Sequence, residues 1–389
     1  MRVLLVATYE LGQQPASVAV AATHLRSLGR EVRAIDVSVD PWDPGLAEWA
    51  DEVAFSVPMH TAARLARDLA RGIDKPVRCF GLYAEQCADF ATRVDWDTAG
   101  PPRMPARDVL PPLDQYTRLR ITGEQRQVGA VATTLGCAHR CRHCPVPVVF
   151  DGRVRRLDET AVLDDVAQLV DAGAQHITFS DPDFLNAPPH SLRIVRAVRQ
   201  RYPHLTFDCT VKVEHVLRHA ELWPELADAG CLFVVSAFES VDDEILERLD
   251  KGHTAADAAR ATSVLRSHGI DVRPSFLPFT PWTTRTDLVA LLDFVHEHDL
   301  VGSVDPVQYT IRLLLPKGSL LLGHPDLAPH LGAFDDERMS YEWRAAEPGV
   351  DALQRHLARL VEEGTEAGES DLTIYARIRD AVGAPEVDL

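Results

Sequence analysis

One pattern recurs along the chain after about residue 160 and limits its fold more than any other feature. A helical stretch ends at a glycine and a strand follows at once: "LVDAGAQHITFS" around Gly173, "LADAGCLFVVSAFE" around Gly230 and "LRSHGIDVRPSF" around Gly269. A fourth unit, "VHEHDLVGSVDPVQYTI", fits without the glycine at that place. Glycine just past a helix supplies the left-handed residue that stops it, and an apolar strand behind it must be buried. Serial helix–strand units of this kind build a full or partial βα barrel. Strands are predicted to begin near Val128, Ile177, Leu205, Leu232, Asp271 and Val304. Six such strands fit a partial barrel better than a closed eight-stranded one. The helix after Asp158 shows the expected inward face in Val162, Val166, Leu169 and Val170.

The first hundred residues also alternate, with strands predicted in "RVLLVA", "EVRAIDVSV", "EVAFSVPM" and "VRCFGLYA" and helices between them. That order predicts an α/β, doubly wound, Rossmann-like sheet, whose ligand loops would be "TYELGQQ", "VPMH" and "GLYAEQ". The proline-rich "DWDTAGPPRMPARDVLPP" breaks the periodicity and reads as a linker. The predicted domains are therefore 1–94, Rossmann-like; 95–127, linker; 128–318, partial (βα)6 barrel; and 319–389, a helical extension. In that extension Leu353, Leu357, Leu360 and Val361 share one helix face.

Composition excludes several classes. The chain has 389 residues with a formal net charge of -18, so bulk binding to phosphate backbones is disfavoured, and no nucleic-acid partner is expected. "RVRR", Arg153 to Arg156, is the one basic patch that opposes this, and a solvated strand end explains it equally. No run reaches the roughly 18 to 20 apolar residues of a membrane span, and the N-terminus reads as a buried strand rather than a signal peptide. The expectation is a cytoplasmic protein in a reducing compartment. There, three of seven cysteines gathered in "TTLGCAHRCRHCPVP" point to metal chemistry rather than disulfides.

Cys137, Cys141 and Cys144 are spaced C-x3-C-x2-C at the end of the first barrel strand, the catalytic end of such barrels. Three thiolates can hold three irons of a [4Fe–4S] cluster and leave the fourth iron open to a small molecule. The competing reading is structural zinc with His139 or His143 as fourth ligand. It lacks the second cysteine pair such sites use.

C-x3-C-x2-C after the first strand of a partial βα barrel resembles the radical S-adenosylmethionine (SAM) superfamily. The resemblance covers about residues 129–315. It implies an enzyme whose cluster, held by Cys137, Cys141 and Cys144, binds SAM and cleaves it reductively. It implies His143 against the adenine, and Asp181 and Asp183 of "ITFSDPDF" as acceptors for the SAM ammonium. Helix capping explains either aspartate too. Lys212 and Glu214 of "FDCTVKVE" fall near the ribose or carboxylate by the same resemblance, with simple solvation as the alternative. Glu239 and Ser240 of "FVVSAFES" match the fourth-strand segment. A buried Glu239 needs a partner, and Arg312 of "VQYTIRLLLP" is the expected one, free also to hold the SAM carboxylate. Gln308, Thr310 and Arg312 would then share one strand face. Phe276, Phe279 and Trp282 line either a substrate pocket or the core.

The N-terminal region resembles cobalamin-binding domains. Their D-x-H-x-x-G motif is missing: the first loop reads "TYELGQQPASVAV", and His60 lies in another loop. The fold is expected, cobalamin is not, and binding without a protein cobalt ligand stays open. "CRHCPV", "RPSFLPFTPWTT", "VDPVQYTIRLLLPKGSLLL" and "YEWRAAEPGVDALQ" are similar to radical SAM proteins with a cysteine or selenocysteine tail, related to the enzyme of arsinothricin biosynthesis. That likeness implies transfer of the 3-amino-3-carboxypropyl group of SAM, for example to trivalent arsenic. No cysteine follows Cys231 in this sequence, so the substrate differs or Cys209 or Cys231 serves instead; both also read as small buried strand residues. Three readings stand beside it: 5′-deoxyadenosyl chemistry, cobalamin-dependent methyl transfer, and a non-catalytic zinc or cluster module. The expected partners are a small-molecule substrate and an electron donor such as a flavodoxin or ferredoxin.

Overall fold

The computed structural model describes residues 1–98, 104–121 and 123–387. Part of the proline-rich linker, residues 99–103, lies outside the described residues. The described chain forms two compact units. One comprises Met1–Ala138, Val149–Asp208 and Asp336–Met339; the other comprises His139–Val148, Cys209–Asp335 and Ser340–Leu389.

The N-terminal sheet contains β1 (Arg2–Ala7), β2 (Glu31–Asp36), β3 (Glu52–Ser56), β4 (Val77–Phe80) and the short β5 (Thr92–Arg93). Their order is β2-β1-β3-β4-β5, with parallel pairing throughout. This is the doubly wound arrangement, and its topological switch lies between β1 and β3. β1 is a continuous apolar run because both faces are covered: Leu4 and Val6 pack on one side, Val3 and Leu5 on the other. Gly81 (φ 107°) allows a close approach after β4, since a Cβ there would stand 2.9 Å from the Val57 carbonyl oxygen.

The second sheet has six strands in the order β13-β12-β11-β10-β7-β6. They are β6 (Arg118–Ile121), β7 (Glu124–Val131), β10 (His176–Phe179), β11 (Thr206–Thr210), β12 (Cys231–Glu239) and β13 (Asp271–Phe276). Between β7 and β10 a small antiparallel pair, β8 (Thr134–Gly136) and β9 (Val154–Arg156), stands apart. β9 contains three of the four residues of "RVRR". The helices are capped as their sequences dictate: Asp158 accepts from Ala161 N–H, and Thr254 with Asp257 and Thr284 with Asp287 form capping boxes. Gly173, Gly230 and Gly269 all take positive φ, between 73° and 103°. This is the half-barrel that the repeated units call for.

Two details differ from expectation. The segment from Val304 is not a strand. Asp305 accepts from Val307 N–H at 3.0 Å, and with Pro306 it starts a 3-10 turn over Pro306–Thr310. Gln308 and Thr310 therefore do not alternate with Arg312 on a strand face. The sixth parallel position is kept by a single bridge, Phe279 to Arg312, with Leu313 N–H donating to the Phe279 carbonyl at 2.8 Å. The sheet's sixth full strand is β6, antiparallel to β7. In the extension, a hairpin of β14 (Leu331–Asp335) and β15 (Ser340–Trp343) precedes two helices, Val350–Glu366 and Asp371–Val382. Leu353, Leu357, Leu360 and Val361 are buried on the first helix. Among the described residues no helix is long and apolar enough to cross a membrane.

Candidate active site at the cysteine loop

In the first unit, Cys137 directly follows β8. The Asn186 side-chain oxygen accepts from Ala138 N–H at 3.1 Å and lies 3.8 Å from Cys137 Sγ. Its amide nitrogen is buried with no hydrogen-bond partner among the described residues. The strand leading into this loop is fixed by Asp181. That carboxylate accepts from Thr133 N–H at 2.9 Å and Thr134 N–H at 2.6 Å, and from both threonine hydroxyls. Burial pushes the Asp181 carboxyl upward despite these four bonds. Asp183 caps the 3-10 turn Phe184–Asn186, accepting from Leu185 N–H at 3.0 Å. Of the two aspartates expected near SAM, one thus pins the β7–β8 connection and the other caps the turn that carries Asn186.

In the second unit, residues 139–148 are bolted to the helix Asp243–Leu249. Arg142 N–H donates to the Leu249 carbonyl at 2.9 Å, and the Arg142 guanidinium donates to the Glu247 and Arg248 carbonyls. A helix C-terminus exposes unpaired carbonyls, so a guanidinium there is favoured twice, by hydrogen bonds and by the helix dipole. Arg142 gives its own carbonyl to Leu321 N–H at 3.1 Å. Cys141 is buried, whereas Cys144 is half-buried.

Glu239 ends β12 with φ 63°, a left-handed conformation that is strained for a residue with a Cβ, and the register against β13 shifts between Ala237 and Glu239. The bulge re-aims the carboxylate. Its Oε1 lies 3.0 Å from His143 Nε2 and 3.2 Å from Lys251 Nζ. Burial alone would raise this carboxyl; Lys251 and then His143 more than reverse that and hold it well below the usual carboxylate range. Burial likewise works against the Lys251 ammonium, but Glu239, followed by the Cys141 and Cys144 thiols, holds it above its usual value. His143 Nδ1 is buried without a hydrogen-bond partner among the described residues. Ser240 turns its hydroxyl to Asp242 N–H at 3.0 Å, a local bond at the start of the helix.

Arg312 is not the partner of Glu239. Its guanidinium binds Asp351 at 2.5 Å and the Trp343 carbonyl at 2.6 Å, and stacks on the Trp343 ring 3.4 Å from the centroid. The turn at Pro306 re-aims the segment, and the hairpin that follows supplies the acceptors. Lys212 Nζ lies 3.2 Å from His139 Nδ1 and 3.4 Å from Glu214. Phe276 and Phe279 are core residues; Trp282 is half-buried, with Arg248 over its ring and its indole N–H on the Asp326 carbonyl. Cys209 and Cys231 are buried. Sequence reasoning missed Lys251, Asn186 and the anchoring role of Arg142. Only the position of Lys251 in "LDKGHT", after the helix that follows a site strand, hinted at it.

Residues 131–295 match the Radical SAM superfamily. The chain thus carries a radical SAM domain and is an enzyme, and the domain implies a [4Fe–4S] cluster and SAM as cofactors. No curated protein matches the sequence. Among solved structures, the cobalamin-dependent radical SAM enzyme OxsB with aqua-cobalamin bound is similar at TM-score 0.68 and 13% identity, over 93% of this chain and 67% of that one. The radical SAM methyltransferase TsrM from Kitasatospora setae, with tryptophan substrate and a SAM analog bound, is similar at TM-score 0.56 and 20% identity, over 77% and 72%. At these identities the likeness is one of fold. With OxsB it spans the N-terminal parallel sheet as well as the half-barrel.

Proposed function

We propose that this radical SAM enzyme cleaves SAM reductively and transfers its 3-amino-3-carboxypropyl group to a small-molecule acceptor, with trivalent arsenic the first acceptor to test. The observation that carries the radical SAM part is the donor set: three thiols in eight residues, with His143 bound to Glu239 instead of completing a zinc tetrahedron. The transfer part rests on the sequence likeness to the cysteine-tail proteins.

In this reading Cys137, Cys141 and Cys144 hold the cluster, and residues 128–318 form the domain that does so. When bound, the cluster supplies the electron that breaks a carbon–sulfur bond of SAM. The chain's own residues bind and orient. Asn186 offers a buried, unused amide N–H beside Cys137, and His143 offers a buried ring nitrogen for adenine. Lys212 and Glu239 flank SAM as charged groups. Asp181 and Asp183 act chiefly by holding the loop that faces it. Arg312, committed to Asp351, reaches a carboxylate only by giving up that pair. A flavodoxin or ferredoxin serves as electron donor.

The residues after β1 do not fit a histidine-ligated cobalamin. That loop holds no histidine, and Thr117 covers its Gly12, with Thr117 N–H on the Gly12 carbonyl at 2.9 Å. No step is assigned to cobalamin here. Methyl transfer with cobalamin remains a second reading because of the fold shared with OxsB and TsrM.

The test is anaerobic reconstitution, then SAM, dithionite and arsenite, with products identified by mass spectrometry. 5′-Methylthioadenosine with an aminocarboxypropyl arsenical supports the proposal. 5′-Deoxyadenosine alone, or cobalamin-dependent S-adenosylhomocysteine, overturns it.

A further inference from the structure

Lys251 is almost fully buried, and it is one of the few cations inside the second unit. The helix Asp243–Leu249 ends with Asp250 in the left-handed region (φ 57°), and Lys251 N–H returns to the Leu246 carbonyl at 3.0 Å. This closure fixes where the lysine side chain starts. The same helix end accepts the Arg142 backbone and guanidinium. The ammonium and the cysteine loop are thus mounted on one rigid turn. The ammonium binds Glu239 Oε1, which in turn binds His143, the residue directly before Cys144 in the loop.

The neighbouring ionisable groups do not duplicate it. Lys212 and Glu214 form their own pair at 3.4 Å, and the His253 imidazole, pushed down to about 4 by burial and then by Lys251, is neutral. The ion pair next to the cysteine loop is therefore Lys251 with Glu239.

We infer that Lys251 is a positioning residue that sets the electrostatic potential at the cysteine loop, and with it the reduction potential of the cluster those cysteines hold. This rests on the cluster reading given above. Reduction adds one electron, taken from a low-potential one-electron donor, and therefore one negative charge. A fixed cation nearby favours the reduced form and a fixed anion disfavours it, and a water-poor interior strengthens both effects. Removing Lys251 leaves the Glu239 carboxylate with His143 alone; removing the Glu239 charge leaves Lys251 without its carboxylate. The two changes act with opposite sign, which a purely structural role does not produce.

The experiment compares wild type, Lys251→Met, Lys251→Arg and Glu239→Gln after anaerobic reconstitution. Iron and sulfide per chain are measured first. The midpoint potential then comes from a dithionite titration followed by electron paramagnetic resonance, without SAM, so that contacts to SAM play no part. The expected result is a more negative midpoint for Lys251→Met, a more positive one for Glu239→Gln, and the wild-type value for Lys251→Arg. Fully loaded Lys251→Met at the wild-type midpoint overturns the inference, as do shifts of the same sign in Lys251→Met and Glu239→Gln. If Lys251→Met fails to load, the positive shift in Glu239→Gln and the wild-type value in Lys251→Arg decide. A wild type that takes up no iron refutes the cluster reading itself, which separates that failure from a loaded protein whose potential does not move.

Discussion

His143 Nε2 stands 3.0 Å from Glu239 Oε1, joining the cysteine loop to the end of β12 across 96 residues of sequence. The bond fixes the imidazole ring and leaves Nδ1 buried and unused. A buried polar atom without a partner is costly unless a ligand satisfies it.

His143→Ala should therefore weaken SAM binding about fivefold, the equivalent of one ordinary hydrogen bond of about 1 kcal/mol. Iron content should stay unchanged, since the three thiols remain. Calorimetric titration of the reconstituted protein with SAM checks the first point and iron analysis the second.

Replacing Cys137, Cys141 and Cys144 together by Ala should abolish iron uptake and SAM cleavage while the circular dichroism spectrum stays that of the wild type. Full iron content and continuing cleavage in the triple variant would refute the ligand assignment.

Arg107 and Asp165 form a two-toothed ion pair in the first unit, Nε to Oδ1 at 2.6 Å and Nη2 to Oδ2 at 2.8 Å, and both residues are buried. The guanidinium also binds Gln14 and the Ala130 carbonyl. Arg107→Met strands a buried carboxylate and should cost about 3 to 5 kcal/mol of stability. The double variant Arg107→Met with Asp165→Leu should recover a large part of that. Urea unfolding of the three proteins measures it.

Glu10, in the loop after β1, is pushed up to about 8 by burial, then by Asp36 and Asp97. Its folded value lies above its unfolded one, so the folded chain binds more protons in between. Its contribution to stability is complete below about pH 4.5 and is lost as pH rises through about 8. The wild type should lose melting temperature between about pH 4.5 and about pH 8, and Glu10→Gln should flatten that fall. An identical slope in both proteins would count against it.

The helix–glycine–strand repeats, the apolar β1 and the C-x3-C-x2-C loop were all readable in the sequence. Each depends on local rules: side-chain period, the left-handed tolerance of glycine, and ligand type and spacing. Gly173, Gly230 and Gly269 adopt the positive φ that their places require. The tertiary structure decided which charges meet. Glu239 finds Lys251 and His143 because a bulge and a left-handed residue turn its carboxylate, a geometry that no residue pattern encodes. Arg312 goes to Asp351 because Asp305 and Pro306 start a turn where an apolar run suggested a strand. Asn186 meets Ala138 because Asp183 caps the turn that carries it. Periodicity is a property of neighbouring residues, whereas the pairing of buried charges is settled by the placement of distant backbone segments, and only the folded chain fixes that.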